Sequence, residues 1–187
     1  ARGNELNGLT VGGNGSGTTI EYVQVTNSSD DGIEWFGGTV NGRYLVFTGN
    51  DDDSLDMDLG FKGALQFVIA VQRDTGGDRI IEGDSPGNEN STPRTHPRIA
   101  NATFISRRPS DALLLRGGMD LTLLNSVVTG SPVCLDVDGV GTMQAAGSAA
   151  EEAGPPRFES VFFSCATAFR DESDIAGAQI AAAFNAG

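Results

Sequence analysis

The chain is poor in the side chains on which most single-site chemistry depends. Its 187 residues include one histidine, His96, one lysine, Lys62, and two cysteines, Cys134 and Cys165. One histidine and two isolated cysteines cannot assemble a four-ligand structural zinc site. No phosphate-binding loop, nucleotide-binding glycine pattern or Ser/His/Asp arrangement is present. No apolar run is long enough to span a bilayer. Basic residues are few: 12 Lys plus Arg against 25 Asp plus Glu leave a net charge of −13. That balance excludes nucleic acid and anionic membrane surfaces as partners. Seven of the arginines fall between Arg73 and Arg116, so the middle of the chain is less acidic than its beginning. Helical periodicity is missing too, until the stretch from Asp171 to Phe184.

What the chain has is glycine, 26 residues of it, and a repeat. Ser28 to Gly37 (SSDDGIEWFG) aligns with Asn50 to Leu59 (NDDDSLDMDL) at an offset of 22 residues. Ile33 then falls on Leu55, Glu34 on Asp56 and Trp35 on Met57. The preceding runs, YVQVT from Tyr22 and YLVFT from Tyr44, keep the same offset, and QFVIAV from Gln66 extends it. Asp111 to Gly118 (DALLLRGG) matches Asp31 to Gly38 (DGIEWFGG) in turn, strand and closing glycines. Later strands are expected in LTLLNSVV, VCLDV and FESVFFSC. Short β-branched strands between Asn/Asp/Gly turns, at this period, predict an all-β fold, a parallel β-helix. About six and a half rungs stacked at the strand spacing would make a rod of roughly 30 Å. Its core is expected to be a column of like residues, with Ile33, Leu55, Leu113 and Leu135 at one position. No rung can bury its apolar face alone, so stability must come from neighbouring rungs.

Residues 1–187 are read as one domain. Ala1 lies already inside a rung, whereas a repeat protein is expected to begin with a capping unit. The sequence is therefore expected to be part of a longer chain, or to have its ends covered by partners. Two excursions from the rod are expected, a polar one at 73–97 and an Ala/Gly-rich one at 139–156. The segment 171–187, acidic and then Ala-rich, predicts a short helix capping the C-terminal end. Asn101 and Asn125 occupy matching places and predict an Asn ladder. The sequons at Asn14, Asn27, Asn90 and Asn101 read as turn or ladder chemistry. Cys134 and Cys165 lie in neighbouring rungs, where a disulfide between them and two free thiols are both open readings.

The strongest chemical signal is acidic: Asp30, Asp31 and Glu34, then Asp51, Asp52, Asp53, Asp56 and Asp58. In the 22-residue register Glu34 stacks on Asp56, with Glu82 and Asp136 as continuations of the column. Charges about 4.8 Å apart repel by roughly 1 kcal/mol in water and several times that away from it. Arg79 or Arg43, shared protons, or bound Ca²⁺ could relieve them. For Ca²⁺ the expected ligands are Asp30, Asp31, Asp52, Asp53 and Asp56, since the ion takes six to eight oxygens and Asp-rich turns supply them. The alternative is solvated turn aspartates and no cofactor.

Ser29 to Ile33 (SDDGI), followed one rung later by Gly49 to Leu55 (GNDDDSL), resembles the consecutive turns of polygalacturonase-type β-helices. The resemblance implies acid/base roles for Asp31, Asp52 and Asp53. The next rung of that family carries Gly-His-Gly where this chain has GGDRII, and its Arg-x-Lys substrate clamp is missing. A pectate-lyase-like site would instead imply Ca²⁺ on the aspartates with Arg79 or Arg98 as base. The TTIEYVQVTNSSDDGIEWFGGTV segment also resembles right-handed parallel β-helix regions of secreted or surface proteins of Gram-negative bacteria. This resemblance, with the crossover rule, implies the right hand and an extracellular or cell-surface location.

Trp35 and Phe36 are adjacent, so on a strand only one points inward, and the other is the candidate ligand-binding aromatic. The leading expectation is a non-enzymatic structural or adhesive module that stacks on itself end to end through open strand edges. A carbohydrate-active enzyme, or a Ca²⁺-dependent polysaccharide binder, is the alternative.

Overall fold

A computed structural model describes residues 5–85, 91–144 and 154–187. Among the described residues thirteen strands alternate between two sheets: β1 (Leu9–Gly12), β2 (Thr19–Thr26), β3 (Ile33–Phe36), β4 (Asn41–Thr48), β5 (Leu55–Asp58), β6 (Ala64–Val71), β7 (Ile81–Gly83), β8 (Arg98–Ile105), β9 (Asp111–Leu115), β10 (Thr122–Thr129), β11 (Val133–Val137), β12 (Arg157–Ser164) and β13 (Thr167–Phe169), followed by helix α1 (Gly177–Phe184). The odd strands form one seven-stranded sheet and the even strands one six-stranded sheet, each in chain order. The pairings are parallel. Each pass through both sheets is one rung, and the rungs stack into a parallel β-helix.

The core follows the register. Leu9, Ile33, Leu55, Ile81, Leu113, Leu135 and Phe169 occupy one inward column of the odd sheet, extending the column expected from sequence. Beside it run Val11, Trp35, Met57, Gly83, Leu115 and Val137. The gap at Gly83 is filled from the side: a Cβ there would lie 2.5 Å from Met119 Sδ. In the even sheet Phe47, Ala70, Phe104 and Val128 stack in register, large against small, as dense packing requires.

Every even strand carries a left-handed residue at the same position: Tyr22, Tyr44, Phe67, Asn101, Asn125 and Ser160, with φ between 45° and 58°. One such residue reverses the alternation of side chains. Arg43 and Tyr44 therefore both face solvent between the buried Gly42 and Leu45, and the eight-residue strand bends there. Asn tolerates this conformation readily, and Tyr and Phe do not. The rings offset the strain by stacking: Tyr22 on Tyr44 at 4.7 Å and Tyr44 on Phe67 at 5.0 Å between centroids. The predicted Asn ladder continues the column, Asn125 Nδ2 donating to Asn101 Oδ1 at 2.6 Å.

Two sequence expectations need correction. Segment 73–97 does not simply stand off the rod: it contributes β7, with Ile80 and Ile81 fully buried. Polar residues flank an apolar pair too short to register as a strand by composition. Within it, buried Arg94 donates to the carbonyls of Gly118, Gly141 (2.9 Å) and Thr142 (3.2 Å), tying together two later turns. The C-terminal helix begins at Gly177 rather than Asp171. Asp171 instead folds forward, its Oδ1 accepting the Gly177 N–H at 2.8 Å. In segment 139–156, Val140–Met143 forms a 3₁₀ turn, while 145–153 and the sequon at Asn90 lie outside the described residues.

Cys134 and Cys165 are joined in a disulfide, Cα to Cα 5.5 Å. Helix α1 packs on β12 and β13. Phe184 places its ring 4.7 Å from Phe163, 5.2 Å from Phe158 and 5.3 Å from Phe169, and Ile180 is buried. The C-terminal end of the described rod is thereby covered.

Candidate functional site

The acidic residues gather on the outer face of the odd sheet and on the turn that enters it. Two columns organise them. In the turn, one side-chain oxygen after another holds the next rung. Asn7 Oδ1 accepts the Asp31 N–H at 3.3 Å, Asp31 Oδ1 the Asp53 N–H at 3.0 Å, and Asp53 Oδ1 the Arg79 N–H at 2.6 Å. Gly32 sits in this turn because the next rung comes too close for a side chain: a Cβ would lie 2.5 Å from the Ser54 carbonyl oxygen. Asp31 and Asp53 are buried in consequence. On the strand face Thr10, Glu34, Asp56, Glu82, Leu114 and Asp136 follow in register. Leu114 interrupts the carboxylates, and the sequence expectation of Glu34 stacked on Asp56, with Glu82 and Asp136 beyond, matches this register.

Among the described residues the carboxyl groups come within 4.8 Å of one another in four sets: Asp30 with Asp31 and Asp52, Asp31 with Glu34 and Asp56, Asp52 with Asp53 and Asp78, and Asp136 with Asp138 and Glu172. Burial is the main cause of the electrostatic consequence, and neighbouring charge adds to it. Burial, then Asp30, Asp52 and Glu34, push Asp31 up to about 7 against the stabilising Asp53 N–H. Burial, then Asp31, Glu34 and Glu82, push Asp56 up to about 8. Burial raises Glu34, which also hydrogen-bonds Asn7 and Asp56. Asp53 is held well above the usual carboxylate range by burial and by its hydrogen bond to Glu82.

The relief expected from Arg43 does not occur. Arg43 lies in the even sheet, where its guanidinium pairs with Glu21 at 2.8 Å. Arg79 does join the acidic face, pairing with Asp78 and, at 3.5 Å, with Glu82. Three further arginines went unrecognised in the sequence, Arg73 pairing with Asp51 in the turn and two others reaching the strand face. Arg116 pairs with Glu82 and with Asp84 (3.0 Å); Arg170 pairs with Asp111 and with Asp136 (3.1 Å). The signal for Arg116 was present, since the match of Asp111–Gly118 to Asp31–Gly38 sets it on Phe36. Arg170 belongs to no repeat match. Arginine thus reaches the C-terminal half of the face, where burial, Asp111 and Asp138 nevertheless push Asp136 up to about 7. Around Asp31 and Glu34 the neighbouring charges are carboxylates, while Asp56 also feels Arg116.

The aromatic pair divides as its alternation requires. Trp35 is fully buried and stacks on Phe61 at 5.2 Å, so its candidacy as a ligand-binding residue fails: the inward column needs a large side chain above Met57. Phe36 faces outward, half-buried, in register with Asp58. Arg98 lies away from the acidic face, opening β8 in the even sheet, and cannot serve as a base there. Asp52 is exposed at the edge of the cluster, whereas Asp53 is 3% exposed and committed to the Arg79 N–H.

Two parallel sheets in register, built from alternate strands, define a parallel β-helix. The family model for pectate-lyase-like β-helix domains matches residues 1–185, and the chain belongs to that family. Comparison with curated proteins and with solved structures found no match. Among the described residues no helix is long and apolar enough to cross a membrane.

Proposed function

We propose that the protein is an extracellular or cell-surface β-helix module that binds polysaccharide on the outer face of its odd sheet, through a divalent cation. The observation that carries this reading is the group Asp31, Glu34 and Asp56, whose oxygens lie within 4.8 Å of one another, with Asp31 pushed up to about 7 and Asp56 to about 8 by burial first and by neighbouring carboxylates second. A site that retains protons in this way is one where Ca²⁺ can take their place. The residues present fit that ion. Asp31, Glu34 and Asp56 offer hard oxygens, and Asp30 and Asp52 stand at the solvent side, where water completes a shell. A cation there supplies positive charge and open positions for sugar hydroxyls or carboxylates. Phe36, half-exposed on the same face, offers an apolar surface to a sugar ring. Membership of the pectate-lyase-like family supports a polysaccharide ligand and an extracellular place.

The test compares the thermal midpoint in Ca²⁺ with that in chelator at neutral pH, followed by glycan-array binding under both conditions. Ca²⁺ at 100 times its dissociation constant should add about 2.7 kcal/mol. No shift, together with glycan binding that survives chelation, would sink the cation reading.

A second reading, a glycoside hydrolase, is favoured by one observation: Asp56, pushed up to about 8 beside Glu34, carries the proton a general acid needs. Asp31 and Asp52 remain available to this chemistry, while Asp53 is closed off. Reducing-sugar release that disappears in Asp56→Asn is its signature. End-to-end assembly finds less support than either, because α1 covers one of the two ends that stacking would use.

A further inference from the structure

A cavity of about 570 Å³ lies in the even sheet, where the chain enters β8, β10 and β12. Its polar wall is in register: Arg98, Thr122 and Arg157 occupy one position on three successive strands. The Thr122 hydroxyl is flanked by two guanidinium-bearing residues, one rung to each side. His96, 7% exposed, places Nε2 3.1 Å from that hydroxyl. The buried Asp120 approaches the same ring nitrogen, Oδ2 3.8 Å from Nε2. Arg157 is held by Glu159. Arg98 is exposed and makes no ion pair among the described residues. In a chain of net charge −13, two guanidinium groups thus flank one hydroxyl, with the buried Asp120 carboxylate also in the lining. The rest of the wall is apolar, made of Pro155, Pro156, Ala183 of α1 and Ala186 just past its end.

We propose that this cavity binds a small organic carboxylate. Its anionic end would rest on the Arg98–Thr122–Arg157 column with His96 beneath, and its apolar body against the Pro and Ala wall. The orientation follows from what each wall offers. The column presents donors, and guanidinium groups match a carboxylate well. The end of α1 presents methyl groups and carbonyl oxygens, which repel an anion. The volume suits a ligand of drug-like size or smaller. The site shares no residue with the acidic face, so its fate is independent of the reading proposed above.

The chain has one histidine, so the His96 ring gives a single set of carbon–proton NMR signals and reports the cavity directly. The full chain is titrated with benzoate, benzyl alcohol and inorganic phosphate. Benzoate is expected to shift the His96 signals to saturation and benzyl alcohol to leave them in place. Arg98→Gln should weaken benzoate by at least about tenfold, the loss of one charge-assisted hydrogen bond. Arg43→Gln, an exposed arginine elsewhere in the even sheet, should change nothing. No saturation with benzoate, or equal affinity in Arg98→Gln, overturns the site. Phosphate binding as tightly as benzoate would show that the apolar wall plays no part, and that also overturns the proposal.

Discussion

The backbone N–H of Asp53 donates to the side chain of Asp31 one rung away, at 3.0 Å, and Asp53 repeats the arrangement toward the N–H of Arg79 at 2.6 Å. Two residues with the sequence signature of catalytic acids are thus also the pins that join successive rungs. The role needs an oxygen, not a charge. Asp53→Ala should lower stability by about 1–3 kcal/mol, the cost of an unpaired buried N–H. Asp53→Asn keeps an oxygen and removes a buried charge, so urea unfolding should place it within about 1 kcal/mol of the parent. Equal losses in the two variants would show that charge, not the hydrogen bond, is what Asp53 supplies.

The raised carboxylates set a pH dependence with a definite sign. Asp31 and Asp56 titrate at about 7 and about 8 in the folded chain and near 3.9 when unfolded. Between those values the folded state binds more protons, so stability falls as pH rises. Their contribution is complete below about pH 4 and is lost through pH 7 to 8. Asp174 is lowered by backbone N–H groups and acts the other way, but only below about pH 4. The thermal midpoint should therefore drop from pH 5 to pH 8, and Asp56→Asn should flatten the drop. A midpoint that rises over this range would show that the acids are not buried as described.

Much of this was legible in the sequence because the first full rungs are equal in length. Ile33 on Leu55 and Glu34 on Asp56 hold at a separation of 22 residues in chain and structure alike. The register then drifts, Asp53 meeting Arg79 at 26 residues, since the turn around Gly76 and Gly77 is longer. Past that point a fixed offset no longer finds partners. The Arg170–Asp111 pair, 59 residues apart, has no local signal at all. The His96 cavity was hidden for the same reason, as its walls come from three rungs and α1. The left-handed column was hidden differently: Tyr and Phe have no propensity for positive φ, and only stacking between rungs permits it.

That column makes its own prediction. Tyr44 sits at φ 58° between two stacked rings. Tyr44→Ala loses both stacks and keeps the unfavourable backbone. Tyr44→Asn also loses them, but takes a side chain that tolerates the left-handed region and, at this position, matches Asn101 and Asn125. Asn should therefore be more stable than Ala by about 1 kcal/mol in denaturant unfolding. Ala equal to or better than Asn would mean that the backbone at this position is not left-handed in solution.

The disulfide joins Cys134 to Cys165 across 31 residues of chain. Closing a loop of that length removes unfolded-state entropy worth about 3–4 kcal/mol. Cys134→Ala with Cys165→Ala should lower stability by that order and should leave Ca²⁺ and glycan responses unchanged, because neither residue lies on the acidic face. A loss under about 1 kcal/mol would indicate that the surrounding rungs already restrict the unfolded chain.

Helix α1 is the remaining element whose role can be separated from the rungs. It lies on β12 and β13, strands with an unpaired edge at that end of the sheets. Such edges are templates for pairing with another chain. Ile180 and Phe184 anchor the helix on Phe158, Phe163 and Phe169. Replacing both anchors with Asp removes the apolar contact without shortening the chain and sets two charges against an aromatic surface. The double variant should shift in analytical ultracentrifugation toward larger species as concentration rises, relative to the parent at the same concentrations. The rungs themselves should persist, with the far-ultraviolet β signal retained. If the variant sediments as the parent does while keeping its β signal, the exposed edge does not recruit other chains, and the helix serves stability alone. If it associates, the helix is the element that keeps a stack of rungs from growing.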